Sequence, residues 1–378
     1  MKTQIVKYYL IAGETSGDLH GSNLMRELKI CDPTAVFRFW GGDRMETIGG
    51  TAVKHIRDLA FMGFAEVIAN LSAISKNLKR CKKDVLAFNP DALVLIDYPG
   101  FNMRIAKFAR KHNISVHYYI SPQVWAWKQN RVYKLKKICN EIYCILPFEK
   151  DFYARFNVSV HFVGHPLIDA ITQFKSEVMT DLSGELNLDE RPILAVLPGS
   201  RKQEIRVKLP IMLKAAKSFP DYQVLIAGAP NLGMDFYRPM LTEGEKICQN
   251  RTYDILRLAS LAMVTSGTAT LETALFKVPE VVCYKGSRIS YLIARRLIKV
   301  KFISLVNLIM DKKVVTELIQ QDLTAENIVA ELKRFEIHNA ADRQELLRTY
   351  DELEKKLGGP GASARTAKHI FENIRKKQ

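Results

Sequence analysis

The sequence has few of the features that mark metal-binding, disulfide-bonded or membrane-spanning proteins. Its six cysteines form no C-x-x-C pair and no histidine cluster accompanies them, so we expect reduced, mostly buried thiols and no metal site. No apolar run reaches the roughly 18 residues that a membrane-spanning helix needs. The run at residues 8–12 is too short for a signal peptide. We therefore expect a cytoplasmic protein, either soluble or bound at a membrane surface.

Acidic residues are also scarce relative to basic ones. The 378 residues include 56 Lys and Arg but 40 Asp and Glu, which gives a formal net charge of +16. Such an excess attracts nucleic acid, an anionic membrane surface or a phosphorylated substrate, and composition does not choose among them. The length, with 47% hydrophobic residues, predicts two globular domains.

Short apolar runs alternate with amphipathic helical stretches, and this pattern occurs twice. Near-continuous apolar strands are typical of parallel sheets covered on both faces, so the sequence predicts an α/β fold of two doubly wound, Rossmann-like domains. The predicted strands are residues 8–12, 36–40, 92–96, 115–120, 141–145, 193–197, 224–227, 261–264 and 281–284. Helices are predicted near residues 19–28, 203–218, 252–258 and 270–276.

These elements predict the boundaries of the domains. We expect a first domain over residues 1–167 and a second domain over residues 192–338. A connector with one helical piece and no strand joins them over residues 168–191. A charged helical tail follows at residues 339–378.

The turn after the first strand has the sequence Gly13-Glu14-Thr15-Ser16-Gly17-Asp18. Its glycines permit a close approach to a ligand, and the following helix amino terminus favours an anion or a polarised hydroxyl. Alternatively, Ser16 or Asp18 caps the helix. The residues alone leave both interpretations open.

Asp97 directly follows the third predicted strand, residues 92–96. A carboxylate there can act as a general base, because ligands of such sheets bind beyond the carboxyl ends of the strands. The alternative is that Asp97 caps the turn at Pro99 and Gly100. Its position at the carboxyl end of a strand favours a role in the site over a role in the turn alone.

An aromatic turn at residues 121–127 follows the fourth strand. Either of its indoles, Trp125 and Trp127, could stack on a sugar or shelter acyl chains. The alternative is that one of them, with Trp125 the first choice, belongs to the core.

Two motifs of the second domain follow predicted strands. Arg201 ends the segment 197–201 and suits bidentate contact with a diphosphate. Residues 266–272 open a helix, whose amino terminus can bind an anion. Alternatively, Ser266 or Thr268 caps this helix and Glu272 completes a capping box. Together the two motifs favour a nucleotide diphosphate.

Two stretches are both basic and amphipathic, residues 61–83 and residues 285–301. Apolar residues recur at helical spacing in the first stretch, which ends in lysines and an arginine. Such a helix can lie on an anionic membrane surface. The alternative is an ordinary helix packed on the sheet. The candidates for membrane contact are Phe64, Ile68, Leu71, Lys79 and Arg80.

In this order, the motifs resemble the lipid-A-disaccharide synthase family of glycosyltransferases, family 19. The resemblance extends from near the first residue to about residue 320 and implies a GT-B fold with the active site in the cleft between the domains. The matching segments are residues 13–21, 41–45, 62–67, 96–102, 121–127, 147–149, 162–166, 197–201, 266–272 and 305–307.

The resemblance implies an inverting transfer in lipid A, and thus lipopolysaccharide, biosynthesis. The donor would be UDP-2,3-diacylglucosamine and the acceptor the 6-hydroxyl of 2,3-diacylglucosamine 1-phosphate, giving a β-1,6-linked disaccharide phosphate and UDP. The enzyme would work without metal or cofactor, as a peripheral protein at the inner face of the cytoplasmic membrane. The resemblance also implies that the first domain faces the acceptor and the membrane and that the second domain binds the UDP-sugar. The carboxyl-terminal tail, residues 339–378, would pack back on the chain or be exchanged between the subunits of a homodimer.

Roles for single residues follow from the resemblance and from position. Asp97 is the first choice for the general base and Glu14 the second. The expected nucleotide-sugar contacts are Ser200, Arg201, Ser266, Gly267, Thr268, Thr270, Glu272 and Asn307. The expected acceptor contacts are Ser16, Gly17, Asp18, Asn102, Gln123 and Trp127.

Two other functions compete with this one. The nearer is another GT-B enzyme that uses UDP-GlcNAc, either a transferase of wall synthesis or an epimerase, although those lack the turn at residues 13–21 in this form. The more distant is a basic nucleic-acid-binding protein, which only the net charge supports. Because no zinc spacing, helix-turn-helix or aromatic-basic motif accompanies that charge, we expect no nucleic acid partner.

Overall fold

A computed structural model of the protein describes residues 5–59, 71–178, 181–230, 232–242, 244–287, 300–336 and 339–376. The chain forms two compact units. The first contains the residues up to Thr172 and those from Leu357 onward, and the second is Gln173–Lys356. The division after Thr172 falls inside the segment 168–191 expected to be a connector, and residues 339–378 are shared between the units.

The first unit contains a parallel sheet of seven strands in the order β3-β2-β1-β4-β5-β6-β7. The strands are β1 (Lys7–Ala12), β2 (Val36–Gly41), β3 (Thr51–His55), β4 (Ala92–Ile96), β5 (Ser115–Tyr119), β6 (Glu141–Cys144) and β7 (His161–Phe162). Helices assigned to this unit are α1 (Thr15–Cys31), α2 (Asp43–Ile48), α3 (Leu71–Phe88), α4 (Pro99–Lys111), α5 (Arg131–Ile138), α6 (Glu149–Ala154) and the carboxyl-terminal α16 (Ala362–Arg375). Helix α7 (Pro166–Ser176) contains the boundary between the units.

The second unit contains a parallel sheet of six strands in the order β10-β9-β8-β11-β12-β13. The strands are β8 (Ile193–Leu197), β9 (Gln223–Gly228), β10 (Lys246–Gln249), β11 (Ala259–Thr265), β12 (Glu280–Tyr284) and β13 (Thr316–Ile319). Its helices are α8 (Leu182–Glu185), α9 (Lys202–Ala216), α10 (Met234–Tyr237), α11 (Thr252–Leu258), α12 (Thr268–Leu275), α13 (Leu305–Met310), α14 (Ala325–Lys333) and α15 (Ala340–Lys356).

All nine predicted strands are present, each within two residues of its predicted ends. The four strands that the sequence did not reveal, β3, β7, β10 and β13, are the edge strands of the two sheets. Edge strands are short and only half covered, so they lack the apolar run that marks a central strand. The predicted helices are also present, although α1 begins four residues before its predicted start at residue 19.

The segment expected to be a connector holds two helical pieces, in α7 and α8, so the prediction of a single piece was wrong. Its described residues contain no strand, as predicted. Asp181 caps the start of α8, because its carboxylate accepts a hydrogen bond of 2.9 Å from the amide of Gly184. The residues of this segment are mostly polar, so no sheet could bury them.

The carboxyl-terminal helix α16 packs against α1 in the first unit. Ala367, Ile370 and Ile374 join Leu24 and Leu28 in one apolar core. The carboxylate of Asp169 accepts hydrogen bonds from the amides that open α16, which satisfies donors that have no partner inside a helix. In this chain α16 therefore completes the core beside β1, and the exchange of carboxyl-terminal segments stays a prediction.

Candidate active site

The first candidate subsite lies at the switch point of the first sheet, where β1 and β4 are neighbours and the chain winds outward in both directions. Ala12 at the end of β1 pairs with Ile96 at the end of β4, so the two following turns lie side by side. A small surface pocket there is lined by Gly13, Glu14, Ser16, Gly17, Ile96, Asp97 and Tyr98. Ligands of open α/β sheets bind at such switch points.

The turn after β4 has a strained backbone. Asp97 and Tyr98 are consecutive non-glycine residues in the left-handed region, with φ of 44° and 48°. The carbonyl of Asp97 accepts hydrogen bonds of 2.8 Å from the side-chain amide of Asn102 and from the hydroxyl of Tyr118. Such strain persists only where the surroundings impose it, and it concentrates at functional sites.

The turns after β1 and β4 are packed tightly enough to require glycine. A methyl group on Gly13 would lie 2.3 Å from the ring of Tyr98. No real contact is that short, so the Tyr98 ring lies directly on the backbone of Gly13. This contact fixes the loop that carries Glu14 beside the loop that carries Asp97.

The environment of Asp97 makes its carboxyl group more basic. Burial raises the pKa of Asp97 to about 6, the negative charge of Glu14 adds to the rise, and a hydrogen bond from the Tyr98 backbone opposes it. A carboxylate with this pKa is ionised at neutral pH and is still a better proton acceptor than an ordinary aspartate.

The other predicted acceptor contacts divide into exposed and buried residues. Ser16 is exposed beside Glu14 at the start of α1. Gly17 and Asp18 are buried, and the Asp18 carboxylate accepts hydrogen bonds of 2.6, 3.1 and 3.1 Å from the amides of Gly42, Arg44 and Met45. Asp18 therefore caps α2 and not its own helix. Acceptor contact by Asp18 stays a prediction that this geometry does not favour.

Asn102 is likewise a structural residue of the subsite. Its side chain is fully buried and its amide donates to the carbonyls of Ile96 and Asp97, at 3.3 and 2.8 Å. It therefore holds the strained turn, and contact with the acceptor stays untested.

The aromatic turn separates its two tryptophans. Trp125 is 8% exposed and packs edge-on against Phe148, as expected for a core residue. Trp127 is 42% exposed, and Lys128 and Arg131 lie 4.6 and 5.0 Å from its ring centre. Gln123 is also exposed. The structure thus leaves Trp127 and Gln123 accessible to a ligand.

The second candidate subsite lies at the switch point of the second sheet, between β8 and β11. Leu197 pairs with Val264, so the turns that follow these strands are adjacent. Arg201 is the residue before α9, and its side chain is 72% exposed. Gly199, with φ of 105°, adopts a backbone conformation that favours glycine, and Ser200 is exposed. An exposed guanidinium and a helix amino terminus therefore share this edge of the sheet.

The turn after β11 opens α12 without a side-chain cap. Gly267 precedes the helix with φ of 149°, and the Ser266 hydroxyl donates to the carbonyl of Ile303 at 3.0 Å. The Thr270 hydroxyl donates to the Gly267 carbonyl at 2.9 Å, and Thr268 is exposed. The capping interpretation of Ser266, Thr268 and Glu272 is therefore wrong, and the amino terminus of α12 faces outward with its positive dipole end.

Glu272 and Asn307 have partners within the fold. Glu272 accepts a hydrogen bond of 3.1 Å from the hydroxyl of Tyr253, and burial raises its pKa. Asn307 is 1% exposed, donates to Val315 and Glu317, and accepts from the amides of Val314 and Val315. Asn307 thus holds the loop before β13, and direct contact with a nucleotide stays a prediction.

Both switch points carry the motifs found in the sequence, and most of the chain matches one family model. The model of lipid-A-disaccharide synthetases covers residues 8–367. The chain belongs to the lipid-A-disaccharide synthetase family.

Individual members of the lipid-A-disaccharide synthetase family match over nearly their whole length. The lipid-A-disaccharide synthase of Geobacter sulfurreducens is 37% identical over 378 residues, which cover 97% of each chain. That of Coxiella burnetii is 38% identical over 370 residues, or 97% of this chain and 98% of the relative. The predicted family is therefore confirmed, and the chain is a glycosyltransferase.

Solved structures support the predicted fold. The UDP-GlcNAc 2-epimerase of Neisseria meningitidis, solved with UDP-GlcNAc, has a TM-score of 0.64, 12% identity and coverage of 99% of this chain and 100% of that one. A UDP-N-acetylglucosamine 2-epimerase of Rickettsia bellii has a TM-score of 0.66 and 12% identity, and the match covers 99% of this chain and 98% of that one. At this identity the likeness shows the fold alone. It confirms the fold of two Rossmann-like domains that this lipid-A-disaccharide synthetase family member shares with GT-B enzymes.

The predicted membrane contacts are only partly described. Phe64 and Ile68 lie outside the described residues, as does the side chain of Leu71 at the start of α3. Lys79 and Arg80 are exposed on α3, and Arg80 donates to the carbonyl of Val53 at 2.8 Å. Among the described residues, no helix is both long and apolar enough to cross a bilayer.

Three charged residues of the second unit were missed by sequence reasoning. Glu317 accepts hydrogen bonds from the amides of Ile303 and Ser304 and thereby holds the loop that binds Ser266. Glu204 contacts Arg201, and Lys208 is buried beside Glu204. One signal was available for Lys208, because it falls at the helical spacing of the apolar Ile205, Leu209 and Met212, which face the core.

Proposed function

We propose that the chain transfers 2,3-diacylglucosamine from UDP-2,3-diacylglucosamine to the 6-hydroxyl of 2,3-diacylglucosamine 1-phosphate, with inversion at the anomeric carbon. The products are the β-1,6-linked disaccharide 1-phosphate and UDP. Family membership supports this transfer. The observation that carries it is Asp97, a half-buried carboxylate on a strained turn at the switch point, with a pKa of about 6.

In the proposed reaction Asp97 takes the proton of the acceptor 6-hydroxyl while the hydroxyl oxygen forms a bond to the anomeric carbon of the donor. The bond between that carbon and the diphosphate oxygen breaks on the opposite face, and its electron pair leaves with UDP. A single displacement of this kind inverts the configuration. Glu14, exposed in the neighbouring turn, is the second candidate for the base.

The second unit would hold the UDP part of the donor. The fork of Arg201 can bind diphosphate oxygens in pairs, and the amino terminus of α12 favours the same negative charge. Ser200 and Thr268 are exposed at the same two turns and can donate hydroxyl hydrogen bonds. Glu272 would contact the ribose through its carboxylate. Asn307 would act by holding the loop before β13 in place. The Arg201 guanidinium and the amino terminus of α12 supply the positive charge that the leaving diphosphate needs.

The proposed function is tested by the release of UDP from matched pairs of substrates. We expect turnover when both sugars carry acyl chains and none when UDP-GlcNAc and GlcNAc 1-phosphate replace them, because acetylated sugars lack the apolar part of the substrate. Conversion of UDP-GlcNAc to its epimer without any acceptor would identify an epimerase. Transfer of GlcNAc from UDP-GlcNAc to a wall precursor, with release of UDP, would identify the other alternative, a transferase of wall synthesis. Either result would contradict the proposal.

We also propose that α3 contacts the anionic membrane surface from which acylated substrates are taken. Lys76, Lys79 and Lys83 are exposed on this helix. The neighbouring α4 adds exposed cations, so the charge is not confined to one helix. Exposed cations on α4 are Arg104, Lys107, Arg110 and Lys111. Basic residues near an anionic surface each contribute about 1 kcal/mol.

Replacing both Lys76 and Lys79 by alanine is expected to weaken binding to vesicles that contain anionic phospholipid by about 30-fold, because two such contributions are lost. Sedimentation with vesicles at constant ionic strength measures this change. The matched control replaces Lys214 and Lys217, which are exposed on and just after α9 in the second unit. Equal losses in the two double variants would show that only net charge matters and would remove α3 as the contact.

A further inference from the structure

Lys208 is a buried lysine on α9, the helix that begins directly after Arg201. Its side chain is 1% exposed, and it belongs to the face of α9 that carries the core residues Ile205, Leu209 and Met212. Lysine is almost never buried without a partner, because taking its charge out of water is costly. Its burial on α9, about two helical turns after Arg201, therefore calls for an electrostatic explanation.

The partner of Lys208 is Glu204, one helical turn earlier. The ammonium of Lys208 lies 3.5 Å from Oε2 of Glu204, and Nη1 of Arg201 lies 3.4 Å from Oε1 of the same carboxylate. A methyl group on Gly199 would lie 3.1 Å from Oε2, so the carboxylate packs against the loop after β8. Glu204 thus lies between a buried cation and an exposed one.

This arrangement decides how strongly the loop attracts an anion. With Lys208 present, two cations and one carboxylate leave a net charge of +1. Without Lys208, the charge of Glu204 would be balanced by Arg201 alone, and this pair would have no net charge with which to attract a diphosphate. Burial lowers the pKa of Lys208, while Glu204 opposes that shift, so the pair favours the charged lysine.

We propose that Lys208 is a positioning residue for nucleotide binding: it neutralises Glu204 from within the core and so leaves the guanidinium of Arg201 free to bind a diphosphate. The inference rests on the proposed function, in which Arg201 holds the diphosphate of the donor. It adds that Glu204 competes with the diphosphate for Arg201, and that Lys208 sets the outcome of this competition.

The test is a double-mutant cycle read by the affinity for UDP. Lys208→Met keeps the volume and removes the charge, and we expect UDP to bind about tenfold more weakly, the scale of one partly screened charge. Glu204→Gln alone removes the competing charge and is expected to bind UDP several-fold more tightly, with a steeper dependence on salt. The double variant should bind UDP to within about threefold of Glu204→Gln alone, because without the Glu204 charge Lys208 has nothing to neutralise. Independent effects would instead leave the double variant about tenfold weaker than Glu204→Gln.

Recovery in the double variant to the affinity of Glu204→Gln separates electrostatics from packing, because a packing defect at Lys208→Met would remain when Glu204 is also changed. Lys214→Met is the matched control: it makes the same substitution on the same helix, at a lysine that is 69% exposed and pairs with Glu326. It should leave UDP binding unchanged. If Lys208→Met does not fold, the affinity of Glu204→Gln for UDP still tests the inference.

Three results would overturn the inference: unchanged affinity in Lys208→Met, no recovery to the affinity of Glu204→Gln in the double variant, or no tightening in Glu204→Gln. Each of these presupposes that the wild-type protein binds UDP, as isothermal titration would show. A wild-type protein that does not bind UDP would instead refute the proposed function itself, so the two failures are distinguishable.

Discussion

Asp97→Asn is expected to lower kcat by roughly 10²- to 10⁴-fold, the range that a general base contributes. Asparagine has nearly the same shape and can keep the strained turn, but it cannot take a proton from the acceptor hydroxyl. The affinity for UDP should not change, because the proposed nucleotide contacts lie in the second unit. Turnover of the acylated substrates, together with titration of UDP, measures both quantities in the same preparation.

The pH dependence of kcat gives an independent measure of the same group. A general base must be unprotonated, so kcat of the wild-type protein should rise with pH through about 6, the pKa of Asp97, and level off above it. The residual activity of Asp97→Asn should not show this rise. A wild-type profile that is flat between pH 5 and 7 would contradict the assignment of Asp97.

Stability should change in the opposite direction to activity. The pKa of Asp97 is raised from 3.8 to about 6 in the folded protein, so the charged carboxylate destabilises the fold at high pH. This destabilisation is absent below about pH 4, grows between the two pKa values and is constant above 6, at about 3 kcal/mol. Asp97→Asn should therefore unfold at a higher temperature than the wild-type protein at pH 8, with the difference vanishing toward pH 4.

Two further variants complete this test. Asp91→Asn makes the same substitution just before β4, where Asp91 accepts a hydrogen bond of 2.8 Å from the Lys7 amide. It should leave kcat and its pH profile unchanged. Glu14→Gln removes the negative charge that contributes to the raised pKa of Asp97, so the rise in kcat should move to lower pH. Loss of turnover in Glu14→Gln, with near-normal turnover in Asp97→Asn, would make Glu14 the base.

The sequence predicts the central strands of both sheets well because burial on two faces imposes an apolar run. The same logic explains why β3 and β13 were missed, since an edge strand is covered on one side only. The switch points were also predictable. They lie where an apolar strand is followed within two residues by glycine or a polar residue, and the motifs after β1, β4, β8 and β11 fall there.

The roles of individual side chains were less predictable, because a motif shows residue types and spacing but not partners. Asp18 stands in a turn that suggests ligand binding, yet its carboxylate is bound to amides 24 to 27 residues away. The amide of Asn307 is similarly bound to the backbone seven and eight residues further along the chain. Only the folded chain brings these partners together. By contrast, Asp97 and Arg201 are functional candidates by position alone, since Asp97 directly follows a strand and Arg201 directly precedes a helix.

Arg201→Ala is expected to weaken UDP binding by at least about 30-fold, or about 2 kcal/mol, because charge-assisted hydrogen bonds to the diphosphate are lost. Its effect on kcat should be about 10²-fold or more, since the negative charge on the leaving diphosphate grows in the transition state. Arg201→Lys keeps the charge but not the planar fork, so it should recover part of the affinity.

Stability separates this binding role from a structural one. Arg201 is 72% exposed and its contact with Glu204 is long, at 3.4 Å, and such surface pairs contribute between about 0 and 1 kcal/mol. Arg201→Ala should therefore melt at nearly the wild-type temperature. Arg191→Ala is the matched control, because Arg191 is 51% exposed in the same unit and pairs with Asp189. If Arg191→Ala and Arg201→Ala weaken UDP binding equally, the effect is one of net charge. That result would contradict the proposal that the diphosphate binds at the second switch point.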